Sequence, residues 1–232
     1  MRDSAAAFAP GIRELECVIE SAFWGCDLLT VDAKEDFDFT EVIEFSEDEE
    51  PQGSVLDIQD NVLVRCSGCG SRVDLPENFT HIGERAFYGN CEITEVNVPS
   101  GVTGLGSVAF GHCINLEKIT LPNTINSIEP HAFWKCGSLK EIMLPSGITE
   151  IPTSAFSGCR GLESVVIPNT VKTIGAKAFG ECISLKEVHI PASVKEIAVN
   201  SFWWARKVTI FAPKGSYAQK YAKLRNIPFV VE

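Results

Sequence analysis

A period of 23 residues runs through the chain from residue 82 onward and leaves few folds open. Rows of that length start at Ile82, Leu105, Ile128, Ile151, Ile174 and Ile197. The fifth residue after each start is Phe87, Phe110, Phe133, Phe156, Phe179 and Phe202. A small residue precedes every Phe, Ala in five rows and Ser201 in the sixth. Three residues past the Phe stand Cys113, Cys136, Cys159 and Cys182, replaced by Asn90 and Ala205 in the outer rows. Three aliphatic columns follow: Ile93, Leu116, Leu139, Leu162, Leu185; Val96, Ile119, Ile142, Val165, Val188; and Val98, Leu121, Leu144, Ile167, Ile190. Each row then reaches Pro99, Pro122, Pro145, Pro168 or Pro191. A unit this short cannot bury its own apolar face, so the rows must stack into a solenoid in which each is covered by its neighbours.

Each row reads locally as one short strand and one turn. In residues 139–145 the alternation points Ile142 and Leu144 inward and Glu141 and Met143 outward. The proline that follows removes a donor and stops the ladder. The period falls within the roughly 20 to 29 residues of leucine-rich repeats. A row such as Ile174-Gly175, Ala178-Phe179, Cys182, Leu185, Val188, Ile190-Pro191 resembles the BspA-type leucine-rich repeat family. The tail Ala212-Pro213-Lys214-Gly215-Ser216-Tyr217 resembles the ending of such arrays. There Ser216 is expected to cap a helix through about Arg225, with a final strand at 227–231. The resemblance implies a β-rich α/β solenoid, a leucine-rich repeat right-handed superhelix with a C-terminal helix-strand cap. It also implies interaction or adhesion roles, since the family includes bacterial surface proteins.

Upstream, Val73-Asp74-Leu75-Pro76 falls one period before Val96-Asn97-Val98-Pro99, and the family resemblance implies a hairpin-like first coil at 61–72, as arrays of this kind often begin with one. Ala22-Phe23-Trp24-Gly25-Cys26 resembles part of another row. The expected organisation is a degenerate half repeat at 1–32, an acidic loop or linker at 33–60, the solenoid at 61–211 and the cap at 212–232.

The formal net charge of −11 is concentrated in one place. Residues 27–60 hold thirteen acids against Lys34, whereas the rest of the chain has no Lys/Arg block. A nucleic-acid partner needs a concentrated basic face, so none is expected. The acidic run at 44–50 lacks the Asp-x-Asp-x-Asp-Gly pattern of a calcium loop and reads as a solvated loop. No stretch reaches the roughly 18 apolar residues of a membrane span. The first nine residues lack the basic flank and apolar core of a secretory signal, which predicts a cytoplasmic chain. The family resemblance implies the alternative, display at the cell surface.

Nine cysteines raise disulfide, metal and redox readings. The four at the repeat spacing are expected to be reduced, buried and apolar in character. Cys66-Ser67-Gly68-Cys69 has metal or redox spacing, but no second ligand pair follows and no βαβ unit surrounds it, so it reads as a hairpin turn. His81, His112, His131 and His189 lie at different phases without a nucleophile motif, and no phosphate-binding glycine loop occurs. Glycines such as Gly106, Gly147 and Gly175 answer to backbone geometry. The expectation is therefore no catalytic residue, no metal and no cofactor.

What stays exposed is the strand face, the usual binding surface of a solenoid. Its outward columns are Arg72, Glu95, Lys118, Glu141, Ser164, Glu187 and Asp74, Asn97, Thr120, Met143, Val166, His189. Mixed charge around an apolar centre at Met143 and Val166 suits a protein partner. A second patch, formed by Tyr88, Trp134, Trp203 and Trp204 after the row Phe residues, is of a kind that stacks on sugars or anchors proteins. A host surface protein or glycan is the alternative partner.

Overall fold

A computed structural model of the chain describes residues 55–232, which form a parallel β-solenoid of about seven turns closed by one helix. The middle aliphatic column centres the three-residue strands. Arg72–Asp74, Glu95–Asn97 and Lys118–Thr120 pair in parallel, and so do Ser164–Val166, Glu187–His189, Thr209–Ala212 and Phe229–Val231. β-branched residues at this column suit a pleated, half-buried strand, and Val96, Val165, Val188 and Ile210 are at most 1% exposed. The row starts form a second wall of two-residue strands, among them His81–Ile82, Gly104–Leu105 and Ser127–Ile128.

The third side of each row has no strand, yet it is laddered as thoroughly. The N–H of each Phe donates to the carbonyl of the small residue before the next Phe: Phe87 to Ala109, Phe110 to Ala132, Phe133 to Ala155 and Phe156 to Ala178, all at 2.8 Å. The small residue is needed because the neighbouring turn lies directly against it. Positive φ two residues before and after the Phe turns the chain at both corners, as at His131 (62°) and Lys135 (59°). Beneath the turns the six rings stack, with centroids 4.7, 5.4, 5.3, 5.5 and 5.4 Å apart and planes within 13° of parallel. Such pairs contribute roughly 0.5–1.5 kcal/mol each beyond burial.

Cys113, Cys136, Cys159 and Cys182 are free, fully buried thiols. Each Sγ–H donates to the carbonyl of the Phe in the row before, at 3.0–3.1 Å. The thiol therefore fills a small apolar site and also supplies a donor to a carbonyl facing the core. Burial pushes all four thiols up, Cys182 to about 12.

Both strand walls are interrupted at one level. Residues 141–143 form no strand, and no backbone hydrogen bond joins them to Lys118–Thr120 or to Ser164–Val166. On the other wall Ser127–Ile128 does not pair with Glu150–Ile151. Part of the cause is legible at Pro152. Gly106, Glu129, Gly175 and Ala198 each donate an N–H one row back, at 2.7–2.9 Å, and Pro152 at that phase has none to give to Ile128. The turn side crosses the same level unbroken through His131, Phe133 and Lys135. Gly147 sits where a Cβ would meet the Ile125 carbonyl oxygen at 2.6 Å, which explains that glycine by close approach.

Two caps close the described array. Val55–Gln59 pairs antiparallel with Val62–Ser67 across a turn at Asp60 and Asn61, both at positive φ, as such tight hairpins require. The hairpin thus begins before residue 61, and the end of the segment expected as an acidic loop is strand, because Leu56 and Ile58 pack on the core. The turn at Cys66–Cys69 is a corner between walls, not the hairpin turn. Val62–Ser67 continues to pair with His81–Ile82 and Arg72–Asp74 with Glu95–Asn97. Cys66 and Cys69 form a disulfide there, with Cα atoms 6.3 Å apart, in place of the simple turn expected. At the other end the helix Tyr217–Arg225 is capped by Ser216, which accepts from the Gln219 N–H. It buries Ala218, Tyr221 and Ala222 against the last row and stops at Asn226 in the left-handed region. The expected half repeat at 1–32 lies outside the described residues.

Candidate partner-binding face

The strand register brings the two outward columns together as expected wherever strands exist. Arg72, Glu95 and Lys118 stand in one line, with Asp74, Asn97 and Thr120 in the next. Ser164 with Glu187, and Val166 with His189, continue those lines beyond the interruption. Glu141 and Met143 occupy the row between, outside the strand ladder.

The two ends of the face differ in how far their side chains are already engaged. Arg72 lies 3.5 Å from Glu95, which receives Lys118 at 3.0 Å, and the Asn97 amide donates to Asp74 at 2.6 Å. Across the other half, Met143 is 86% and Val166 65% exposed. Two lysines of the same half are engaged by carboxylates, Lys140 by Glu117 at 3.6 Å and Lys186 by Glu163 at 2.8 Å. The second pair holds the Glu163 carboxyl below its usual range and raises the Lys186 ammonium. His189 lies between Glu187, 3.9 Å from Nε2, and Glu232, which bonds Nδ1. Its ring stacks on Phe211 at 4.8 Å.

Two residues absent from the sequence-based columns belong to this face. Phe211 pairs with His189, and Val230 with Phe211. The repeat offset shortens in the last two steps, so counting by the period does not reach them; the alternation within 209–212 and 229–231 is the signal that does.

The tryptophans do not form one patch. Trp134 packs against His112 and His131 and carries Lys135 over its ring at 4.7 Å. Trp203 and Trp204 are three rows away, 43% and 50% exposed, under Lys177 and Arg206 respectively. Among the described residues no group of three or more His, Cys, Asp or Glu side chains is placed to hold a metal ion. No described helix is long and apolar enough to cross a membrane.

The profile of the BspA type leucine rich repeat region matches residues 12–103 and 80–209, in six copies. The chain belongs to the BspA-type leucine-rich repeat family. A crystal structure of a Treponema pallidum leucine-rich repeat protein superposes with a TM-score of 0.66 at 27% identity, covering 78% of this BspA-type chain and 97% of the other. The pneumococcal vaccine antigen PcpA gives 0.64 at 21% identity, over 76% of this chain and 46% of its own, and shows the shared fold. None of the curated proteins compared matches. Leucine-rich repeat arrays typically serve protein interaction, and this array is built on that plan.

Proposed function

We propose that this chain is a non-catalytic interaction module that binds a protein partner through the strand face of its solenoid. The observation that carries this reading is a pair of large apolar side chains, Met143 and Val166, exposed in the middle of a strand face whose outward columns are otherwise mostly polar. Burying such side chains against a partner releases water from apolar surface, and the surrounding polar groups supply register. The test is capture of the partner by the intact chain and by the triple variant Glu141→Ala, Met143→Ala, Val166→Ala. The reading expects binding to fall at least about tenfold, the effect of losing roughly 1.4 kcal/mol of contact energy. Unchanged binding by a folded variant refutes the face assignment.

A second reading, an adhesin displayed outside the cytosol, draws support from the Cys66–Cys69 disulfide, since such bonds persist mainly in oxidising compartments. Labelling of intact cells with a membrane-impermeant reagent decides it: a labelled chain supports surface display, and a chain labelled only after lysis opposes it.

A further inference from the structure

The partner's chemistry can be taken one step further, on the basis of the strand-face reading above. The apolar centre is one end of a continuous stripe. In successive rows stand Met143, Val166, His189 stacked on Phe211, and Val230, with Val166, His189, Phe211 and Val230 in direct strand register. Val230 is 43% exposed. The polar end of the face, from Arg72 to Thr120, has its charges spent on one another. The stripe does not. Lys118, Lys140 and Lys186 are held by Glu95, Glu117 and Glu163, so Glu141 is left in no ion pair among those of the described residues, Glu187 shares the Lys186 that Glu163 holds, and Glu232 has His189. Apolar surface edged by more carboxylates than lysines complements an apolar segment that carries bases.

Spacing selects the form of that segment. Rows lie about 4.8 Å apart, so the stripe offers a side chain about every 5 Å over roughly 19 Å, apolar at Met143, Val166, Phe211 and Val230 and an imidazole at His189. One face of a strand repeats about every 6.8 Å, whereas an α-helix repeats each turn at about 5.4 Å, closer to the row spacing. We infer that the C-terminal half of the strand face receives a basic amphipathic helix of about 13 residues, lying along the solenoid axis with its apolar ridge on the Met143–Val230 stripe.

The experiment is selection of a phage-displayed library of helix-forming peptides, about 15 residues long with all faces randomised, on the intact chain. The affinity of the enriched peptide is then measured by fluorescence anisotropy. The inference expects apolar residues at i, i+3, i+4 and i+7, Lys or Arg beside them, and binding that weakens as salt rises from about 0.05 to 0.3 M. It also expects at least about a tenfold loss with Val166→Glu and with Met143→Glu, and no change with Arg72→Ala or Lys118→Ala. Enrichment of acidic peptides, or no enrichment, overturns it. Peptides sensitive only to the Arg72 and Lys118 variants would overturn it and leave the strand face as the binding surface; peptides indifferent to both pairs would remove the strand-face reading as well.

Discussion

The two halves of the strand face are made by the same repeat and put to different use. Beneath both, the inward columns are alike: aliphatic at the strand, Phe at the turn. Above them, one half knits Arg72, Asp74, Glu95, Asn97 and Lys118 to each other, while the other leaves Met143, Val166 and Val230 facing solvent. Stacking constrains a side chain that must fit its copies in the rows on either side. It does not constrain one that points away, so specificity can be written outward without disturbing the fold.

Changes beneath the face should therefore cost far more than changes on it. Phe133→Ala, in the middle of the ring stack, should lower stability by about 3–5 kcal/mol in urea unfolding, since it opens a cavity between two rows and breaks two ring contacts. A cost below about 1 kcal/mol would mean that the stack is not the core. Cys136→Ala, which loses a buried sulfur and its bond to the Phe110 carbonyl, should cost about 1–2 kcal/mol. On the face itself, Met143→Ala or Arg72→Ala should stay within about 1 kcal/mol, as expected for exposed groups.

The core thiols add a pH signature. Their folded pKa values are raised above the ordinary 9.0, so folding keeps them protonated where the unfolded chain would ionise. That contribution is fully present below pH 9.0 and is lost as pH rises from there towards about 12, the folded value for Cys182. Stability should fall over that window, and less steeply in a variant with all four ladder cysteines changed to Ala. The native thiols should also resist alkylation until the chain unfolds. A smaller contrast separates rows: amides at 141–144 should exchange with deuterium sooner than those of Glu187–His189, whose strand is paired on both sides. Equal protection would mean that the interruption is not present in solution.

The inward half of this architecture was open to sequence reasoning because each row repeats the same packing problem. The row Phe, the Cys column, the terminal helix and its Ser216 cap all follow from period and residue type. What escaped depends on departures from the period. Phe211 and Val230 lie where the rows shorten, and the break in the row-start wall owes part of its cause to the missing N–H of Pro152, a single residue in a phase otherwise open to any donor. The pairing of Cys66 with Cys69 depends on a corner geometry that a spacing alone leaves undetermined. Lys140 with Glu117 and Lys186 with Glu163 pair one period apart at a phase outside the two outward columns, so reading those columns alone does not reach them.

The most direct test of the central claim is photo-crosslinking with a benzophenone side chain placed in turn at Val166, Asp74 and Trp203 of the intact chain. The account predicts that the partner is trapped from Val166 and not from Asp74 or Trp203. A partner trapped from Trp203 or Asp74, with none from Val166, would contradict it.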